Sequence, residues 1–309
     1  MSSRAVQPAA PARLAVWFIA ARPKTLVAAA APVLIGAGLA AFHEGFRPLP
    51  ALAALMGALL IQVATNLAND YYDFVRGADT AERVGPMRVA QAGLLAPAAV
   101  RRGMFATLAA ATLVGSYLVW VGGWPILLVG LVSMGCAVAY TGGPFPLAYH
   151  GLGDPFVFVL FGLVAVAGTV WVQMRLLLPD ALLAGAGVGA LSTAILVVNN
   201  LRDRASDART GKRTLAVRLG RTGTVVEYSL LLGVGVCVPV VGIIGYRWPA
   251  ITVTAGFAAA LLCASPLRAV WAHRGPTDLL PTLGQTARAV ALYGILLGAS
   301  LAWGPGSIG

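Results

Sequence analysis

Apolar residues run along this chain in long blocks broken by short polar stretches. Nine blocks, at roughly 25–42, 51–70, 103–121, 125–141, 155–174, 181–200, 224–244, 249–267 and 287–303, each approach the ~20 residues that an apolar helix needs to cross a bilayer. The pattern predicts an all-α membrane protein of nine transmembrane helices. Gly122-Gly123-Trp124-Pro125 predicts a tight hairpin between the third and fourth. Gly36, Gly38, Gly185, Gly187 and Gly189 lie inside spans, where small residues let helices approach closely. Residues 1–12 are Ala/Pro-rich, lack the apolar core of a signal peptide and are predicted to be disordered. Residues 13–309 are then one membrane domain.

Composition agrees with a bilayer setting. The chain is 59% hydrophobic and 11% charged, with a mean hydropathy of +0.82, whereas soluble domains carry about 25% charged residues. The net charge is +11. With the N-terminus in the cytoplasm, nineteen Lys and Arg fall on inside segments and only Arg47, Arg175 and Arg247 outside. This positive-inside bias puts the N-terminus in and the C-terminus out. The cations are scattered over several loops with no soluble domain beside them, which argues against nucleic acid as a partner. Cys136, Cys237 and Cys263 lie within apolar spans without metal-ligand spacing and read as small buried hydrophobes. His43, His150 and His273 are dispersed and suggest no ligand set.

The chemistry concentrates in the acids. Asn69-Asp70-Tyr71-Tyr72-Asp73, followed by Asp79, closes the second block, and Asn199-Asn200-Leu201-Arg202-Asp203, followed by Asp207, closes the sixth. Each places a carboxylate four residues after an Asn, on the same helix face. Seven of the eleven acids, Asp70, Asp73, Asp79, Glu82, Asp154, Asp203 and Asp207, fall at predicted cytoplasmic ends of the second, fifth and sixth spans or just beyond. A single mixed-charge helix end is usually just solvated. Two copies in one register point instead to a hard divalent cation, since acids sharing a cavity repel unless protonated or metal-bound. Magnesium suits them: it takes oxygen ligands and is commonly completed by substrate phosphates. Manganese is the alternative, and two clusters facing one cavity have room for two ions around a diphosphate. Arg88 follows the first cluster and Lys212-Arg213 the second. Acids for a metal beside bases for an anion describe a polyphosphate site.

These residues carry a resemblance. The sequence resembles the UbiA superfamily of intramembrane prenyltransferases, and within it the 1,4-dihydroxy-2-naphthoate polyprenyltransferase branch of menaquinone synthesis. The similarity runs through Ala21-Arg22-Pro23-Lys24, Asn66 to Asp73, Gly77-Ala78-Asp79-Thr80, Tyr140-Thr141-Gly142-Gly143, Gly151-Leu152-Gly153-Asp154, Asn199 to Asp203 and Gly211 to Gly220. It implies a nine-helix bundle of two related halves, a cavity open sideways to lipid, and a multi-pass protein of the cell membrane with its active site on the cytoplasmic side. It also implies magnesium held by Asn69, Asp73 and Asp79 at one site and by Asn199, Asp203 and Asp207 at the other, with Asp70 in support. Arg88, Lys212 and Arg213 would hold the polyprenyl diphosphate. One departure stands out: relatives often place a lysine soon after the Tyr140 to Gly143 element, and Pro144-Phe145-Pro146 supplies none.

The implied reaction transfers the polyprenyl group to 1,4-dihydroxy-2-naphthoate with decarboxylation, giving demethylmenaquinone. Asp73 and Asp203 are then indispensable. Tyr140, with Tyr72 and Tyr149, is a candidate to stabilise an allylic cation by its ring face. Asp154 is a candidate base for an acceptor hydroxyl, or simply a cap beside Pro155. Arg22 and Tyr149 are candidate acceptor contacts. Two other readings compete: a different aromatic acceptor, such as 4-hydroxybenzoate or homogentisate, and a transporter, whose site would lie near the bilayer midplane.

Overall fold

The computed structural model describes residues 12–77, 84–85 and 87–304. Asp79, with Glu82, Arg83 and Pro86, and the tail as far as Pro11 lie outside the described residues. Ten helices follow in order: α1 Arg13–Ala21, α2 Pro23–Phe42, α3 Pro48–Val75, α4 Pro97–Gly122, α5 Trp124–Ala139, α6 Gly153–Met174, α7 Pro179–Arg209, α8 Leu215–Tyr246, α9 Val253–Ala272 and α10 Leu280–Ala302. Proline opens most of them, at a position whose N–H would be unpaired anyway. Gly123, at φ 78°, makes the predicted hairpin between α4 and α5.

Each of the nine apolar blocks coincides with one helix. Among the described residues, seven helices are long and apolar enough to cross a membrane, and α5 is apolar but only 16 residues long. Large apolar side chains such as Leu113, Trp120, Ile244 and Phe257 are exposed around the bundle, the surface expected where lipid is the solvent. Of the seven, α7 is the most buried and α4 the least. α7 is therefore the central post, with Val188 and Leu191 packed among Ile35, Val166, Tyr228 and Leu297.

Small residues set the closest approaches. A Cβ on Gly162 would stand 2.4 Å from the Gly185 carbonyl oxygen, so α6 and α7 touch backbone to backbone where α6 widens into a π turn at Val159–Val164. Gly38 meets Gly298 of α10 in the same way. The predicted packing role of Gly36, Gly38, Gly185, Gly187 and Gly189 holds, each lying against another helix. α1 was not legible as an element, although Val16 and Ala20 bury it against Leu67 and Met104. The cysteines need a correction: Cys263 alone is buried, Cys136 is partly exposed and Cys237 is exposed on the apolar surface. His43 is also more than a dispersed residue, since its Nε2 lies 2.8 Å from buried Asp180, which further accepts from Trp248 Nε1 at 3.3 Å.

Candidate active site

Two helices outrun their apolar blocks and carry the acids. α3 continues past residue 70 to Val75 and α7 past residue 200 to Arg209, so both Asn-x-x-x-Asp pairs lie on regular helix and share a face. Every acid of the two motifs described here has a hydrogen-bond donor or a cation beside it. Arg88 Nη2 donates to Asp73 Oδ2 at 2.8 Å, with both side chains buried. Arg202 forks onto Asp203 through Nε and Nη2, each at 2.7 Å, and Nη2 also reaches Asn199 Oδ1 at 2.7 Å. Lys212 Nζ stands 3.9 Å from Asp207 Oδ1.

Asp70 turns elsewhere. Its Oδ2 accepts from the Val89 N–H at 3.0 Å and its Oδ1 from the Ala90 N–H at 3.1 Å, fastening the loop that carries Arg88. Asn69 Oδ1 accepts from the Thr141 hydroxyl at 3.0 Å and ties α3 to the loop after α5.

Tyr149 joins the two motifs. Its hydroxyl donates to Asp73 Oδ1 at 3.3 Å, while the Arg76 guanidinium and the Lys212 ammonium lie 5.2 and 5.5 Å from its ring centroid, within cation–π range. Its carbonyl accepts from the Arg213 N–H at 3.1 Å, and the Arg213 side chain is exposed. Burial, and then the Asp73 charge, raise the Tyr149 phenol above its ordinary range, so it remains a donor. Arg22 occupies the left-handed junction between α1 and α2, at φ 51°.

Beneath the motifs lies a cavity of about 430 Å³. Its wall runs from Tyr140 and Gln62 near the motif end to Val119, Ile126 and Val172 near the α4–α5 hairpin. Tyr140 also lies close enough to Asp154, Asp73 and Asp207 to feel their charges. Asp154 is 4% exposed, and among the described residues neither carboxylate oxygen reaches a donor on another residue. Sequence reasoning passed over Arg76, Gln62 and Glu227, the last within electrostatic reach of Asp154. The register of Gln62 with Asn66, Asn69 and Asp73 along α3 was the available signal for Gln62, whereas Arg76 and Glu227 meet residues of other segments, which no spacing rule marks.

Oxygen donors make up the whole candidate ligand set, which suits a hard cation and not a soft one. Three carboxylates, Asp73, Asp203 and Asp207, are buried here. Among the described residues, no three acidic, His or Cys side chains form a ready cage. Magnesium is usually held by one or two carboxylates together with substrate phosphates.

A helical bundle with an apolar outer surface and paired acid–base motifs at one end of an apolar cavity defines a multi-pass membrane protein suited to a ligand with an anionic head and an apolar tail. The chain belongs to the UbiA prenyltransferase family, whose profile matches residues 29–282. It is 38% identical over 293 residues to a 1,4-dihydroxy-2-naphthoate octaprenyltransferase of Mycobacterium tuberculosis, covering 95% of this chain and 99% of that one. It is 36% identical to the Escherichia coli protein of the same name, covering 92% and 94%. The fold resembles an apo UbiA homolog from Aeropyrum pernix K1, with a TM-score of 0.66, 16% identity and coverage of 89% and 96%. It also resembles a UbiA homolog from Archaeoglobus fulgidus bound to DMAPP and Mg2+, with a TM-score of 0.61, 14% identity and coverage of 92% and 99%.

Proposed function

We propose that this protein transfers a polyprenyl group from its diphosphate to 1,4-dihydroxy-2-naphthoate, with loss of carbon dioxide, to give demethylmenaquinone. The observation that carries the reading is the junction at Tyr149, which brings Asp73, Arg76 and Lys212 together. A diphosphate head fits there and its isoprenoid tail fits the cavity, where burial contributes about 0.8 kcal/mol per methylene. The relatives' names supply the acceptor. On this reading nine helices cross the membrane, the N-terminus is cytoplasmic, and the motifs open toward the cytoplasm.

Asn69, Asp73 and Asp79 would hold one magnesium ion and Asn199, Asp203 and Asp207 a second, with manganese as the alternative. Bound there, the metal neutralises the diphosphate and makes it a better leaving group. Arg88 and Lys212 turn from the carboxylates to the phosphate oxygens, with the exposed Arg213 at the rim. Asp70 serves the site by holding Arg88 in place. The allylic C–O bond breaks toward a carbocation beneath Tyr140, whose ring face stabilises the charge. The apolar wall excludes water that would otherwise capture that cation. The ring carbon bearing the carboxylate attacks the cation, and carbon dioxide departs in place of a proton. Asp154 stands as the candidate base for an acceptor hydroxyl, and Arg22 faces the acceptor carboxylate at the rim.

The test is a product assay on detergent-purified protein with 1,4-dihydroxy-2-naphthoate, a polyprenyl diphosphate and magnesium, read by mass spectrometry with and without a chelator. A chelator-sensitive, decarboxylated and prenylated product is expected. Prenylation of 4-hydroxybenzoate instead would correct the acceptor. Passage of unmodified substrate across proteoliposomes without any product would replace the enzyme with a transporter.

A further inference from the structure

One side chain in the cavity wall is left with an unanswered acceptor. Gln62, Asn66, Asn69 and Asp73 follow at intervals of four, three and four residues along α3 and share one face. Gln62 therefore sits about 10 Å along the helix axis from Asn69, on the cavity side of the acid motif. Its surroundings fix its orientation. Asn66 Nδ2 donates to the Ala21 carbonyl at 2.8 Å and to Thr25 Oγ1 at 2.9 Å. A carbonyl only accepts, so Asn66 Oδ1 must face Gln62. Gln62 Nε2 donates to that oxygen and to Thr25 Oγ1, both at 3.3 Å. The Thr25 hydroxyl spends its own hydrogen on the Arg22 carbonyl at 3.0 Å. Flipping the Gln62 amide would set oxygen against oxygen.

Gln62 Oε1 is consequently held outside this network, buried and without a partner among the described residues, in a side chain 7% exposed that lines the cavity. Four hydroxyls of the wall differ. Thr65, Thr112, Ser116 and Thr169 each donate to a carbonyl four residues back in their own helix. A buried acceptor without a donor is costly, and a ligand that supplies the donor recovers the loss. A prenyl chain has no donor, and neither does an ionised diphosphate. A hydroxylated aromatic ring does.

We infer that Gln62 Oε1 accepts a hydrogen bond from the acceptor ring, and specifically from the hydroxyl remote from its carboxylate. In 1,4-dihydroxy-2-naphthoate the 1-hydroxyl is internally bonded to the adjacent carboxylate, so the 4-hydroxyl is the free donor. Gln62 is then a specificity-determining residue that sets the rotation of the ring and so presents the carbon bearing the carboxylate to the allylic centre. The inference rests on the acceptor reading above.

Its test compares 1,4-dihydroxy-2-naphthoate with 1-hydroxy-2-naphthoate, which lacks only the remote hydroxyl, in the wild type, Gln62→Met and Gln62→Glu. The wild type should favour the dihydroxy acid by about 10- to 100-fold in kcat/KM, because the analogue that lacks the hydroxyl leaves one buried acceptor unpaired. Gln62→Met should bring that preference close to unity while leaving the KM for the prenyl diphosphate unchanged. Gln62→Glu in its neutral carboxyl form can donate its O–H to Asn66 Oδ1 in place of Nε2 and keeps a carbonyl acceptor; it should preserve the preference and serves as the readout if the Met variant does not fold. An undiminished preference in Gln62→Met, or its loss in both variants, overturns the inference while the product assay still supports the function. If the wild type neither converts nor binds the naphthoate, read by quenching of naphthoate fluorescence, the acceptor reading fails and the inference falls with it.

Discussion

Asp70 and Asp73 stand three positions apart in one motif, and the structure gives them different work. Asp70 is 1% exposed and spends both oxygens on the backbone N–H groups of Val89 and Ala90. Asp70→Asn keeps one acceptor and turns an NH2 group toward the other N–H. One charge-assisted bond is lost, worth about 1.5–3 kcal/mol, or roughly 10- to 150-fold in an equilibrium. Arg88 immediately precedes Val89, so the cost falls on the placement of its guanidinium. The KM for prenyl diphosphate should therefore rise by about 10- to 100-fold, with the magnesium dependence of the rate unchanged. Asp73→Asn should abolish turnover at any magnesium concentration. Initial rates over a grid of magnesium and prenyl diphosphate concentrations measure both. If Asp70→Asn displaces the magnesium midpoint while leaving the diphosphate KM alone, Asp70 is a metal ligand and the loop-anchor argument is wrong.

Four further outcomes follow from the same geometry. Arg202→Met leaves the Asp203 carboxylate without its fork, a loss of about 3–5 kcal/mol for a buried pair; melting in detergent without ligand should fall, and magnesium should restore more of it than in the wild type. An unaltered melt would show that the pair adds no stability. Tyr149→Phe removes one 3.3 Å hydrogen bond but keeps the ring beside Arg76 and Lys212, so the rate should drop by less than about tenfold and Tyr149→Ala should cost more; equal losses would make the hydroxyl itself essential. Because burial and Asp73 hold its phenol in the protonated form, the rate should show no Tyr149-dependent decline from neutral into mildly alkaline pH. Gly162→Leu drives a side chain into the Gly185 carbonyl and Gly189 Cα, 2.4 and 2.6 Å from the first added carbon, and should sharply reduce the yield of folded protein; a normal yield would show that α6 and α7 can separate.

Apolar blocks locate helices well because a bilayer requires every backbone polar group to pair within its own segment. They locate helix ends poorly. α3 and α7 run on past the apolar layer because their hydrogen bonding continues while hydropathy falls, and those extensions carry both acid motifs. The Asn69 to Asp73 spacing announced a shared face, which the helix provides. It could not reveal that Asp70 is committed to Val89 and Ala90, since that choice belongs to a loop 19 residues away. The pairing of His43 with Asp180, 137 residues apart, was likewise beyond any local pattern. α1 escaped notice because nine residues are too few to register as a span.

The departure from the family pattern after Tyr140-Thr141-Gly142-Gly143 can be argued from these contacts. A lysine there would reach the diphosphate, and Pro144-Phe145-Pro146 has none. Arg76 bonds the Gly143 carbonyl from the end of α3, bringing a guanidinium to this loop from the neighbouring helix. The same guanidinium lies over the Tyr149 ring that faces Lys212. The positive charge missing from the loop's sequence is thus present in its environment, on a residue fixed by a hydrogen bond and a ring contact. On the proposed diphosphate reading, Arg76 would take the place of the loop lysine, and because its guanidinium holds the Gly143 carbonyl it would also couple loop position to the presence of the diphosphate.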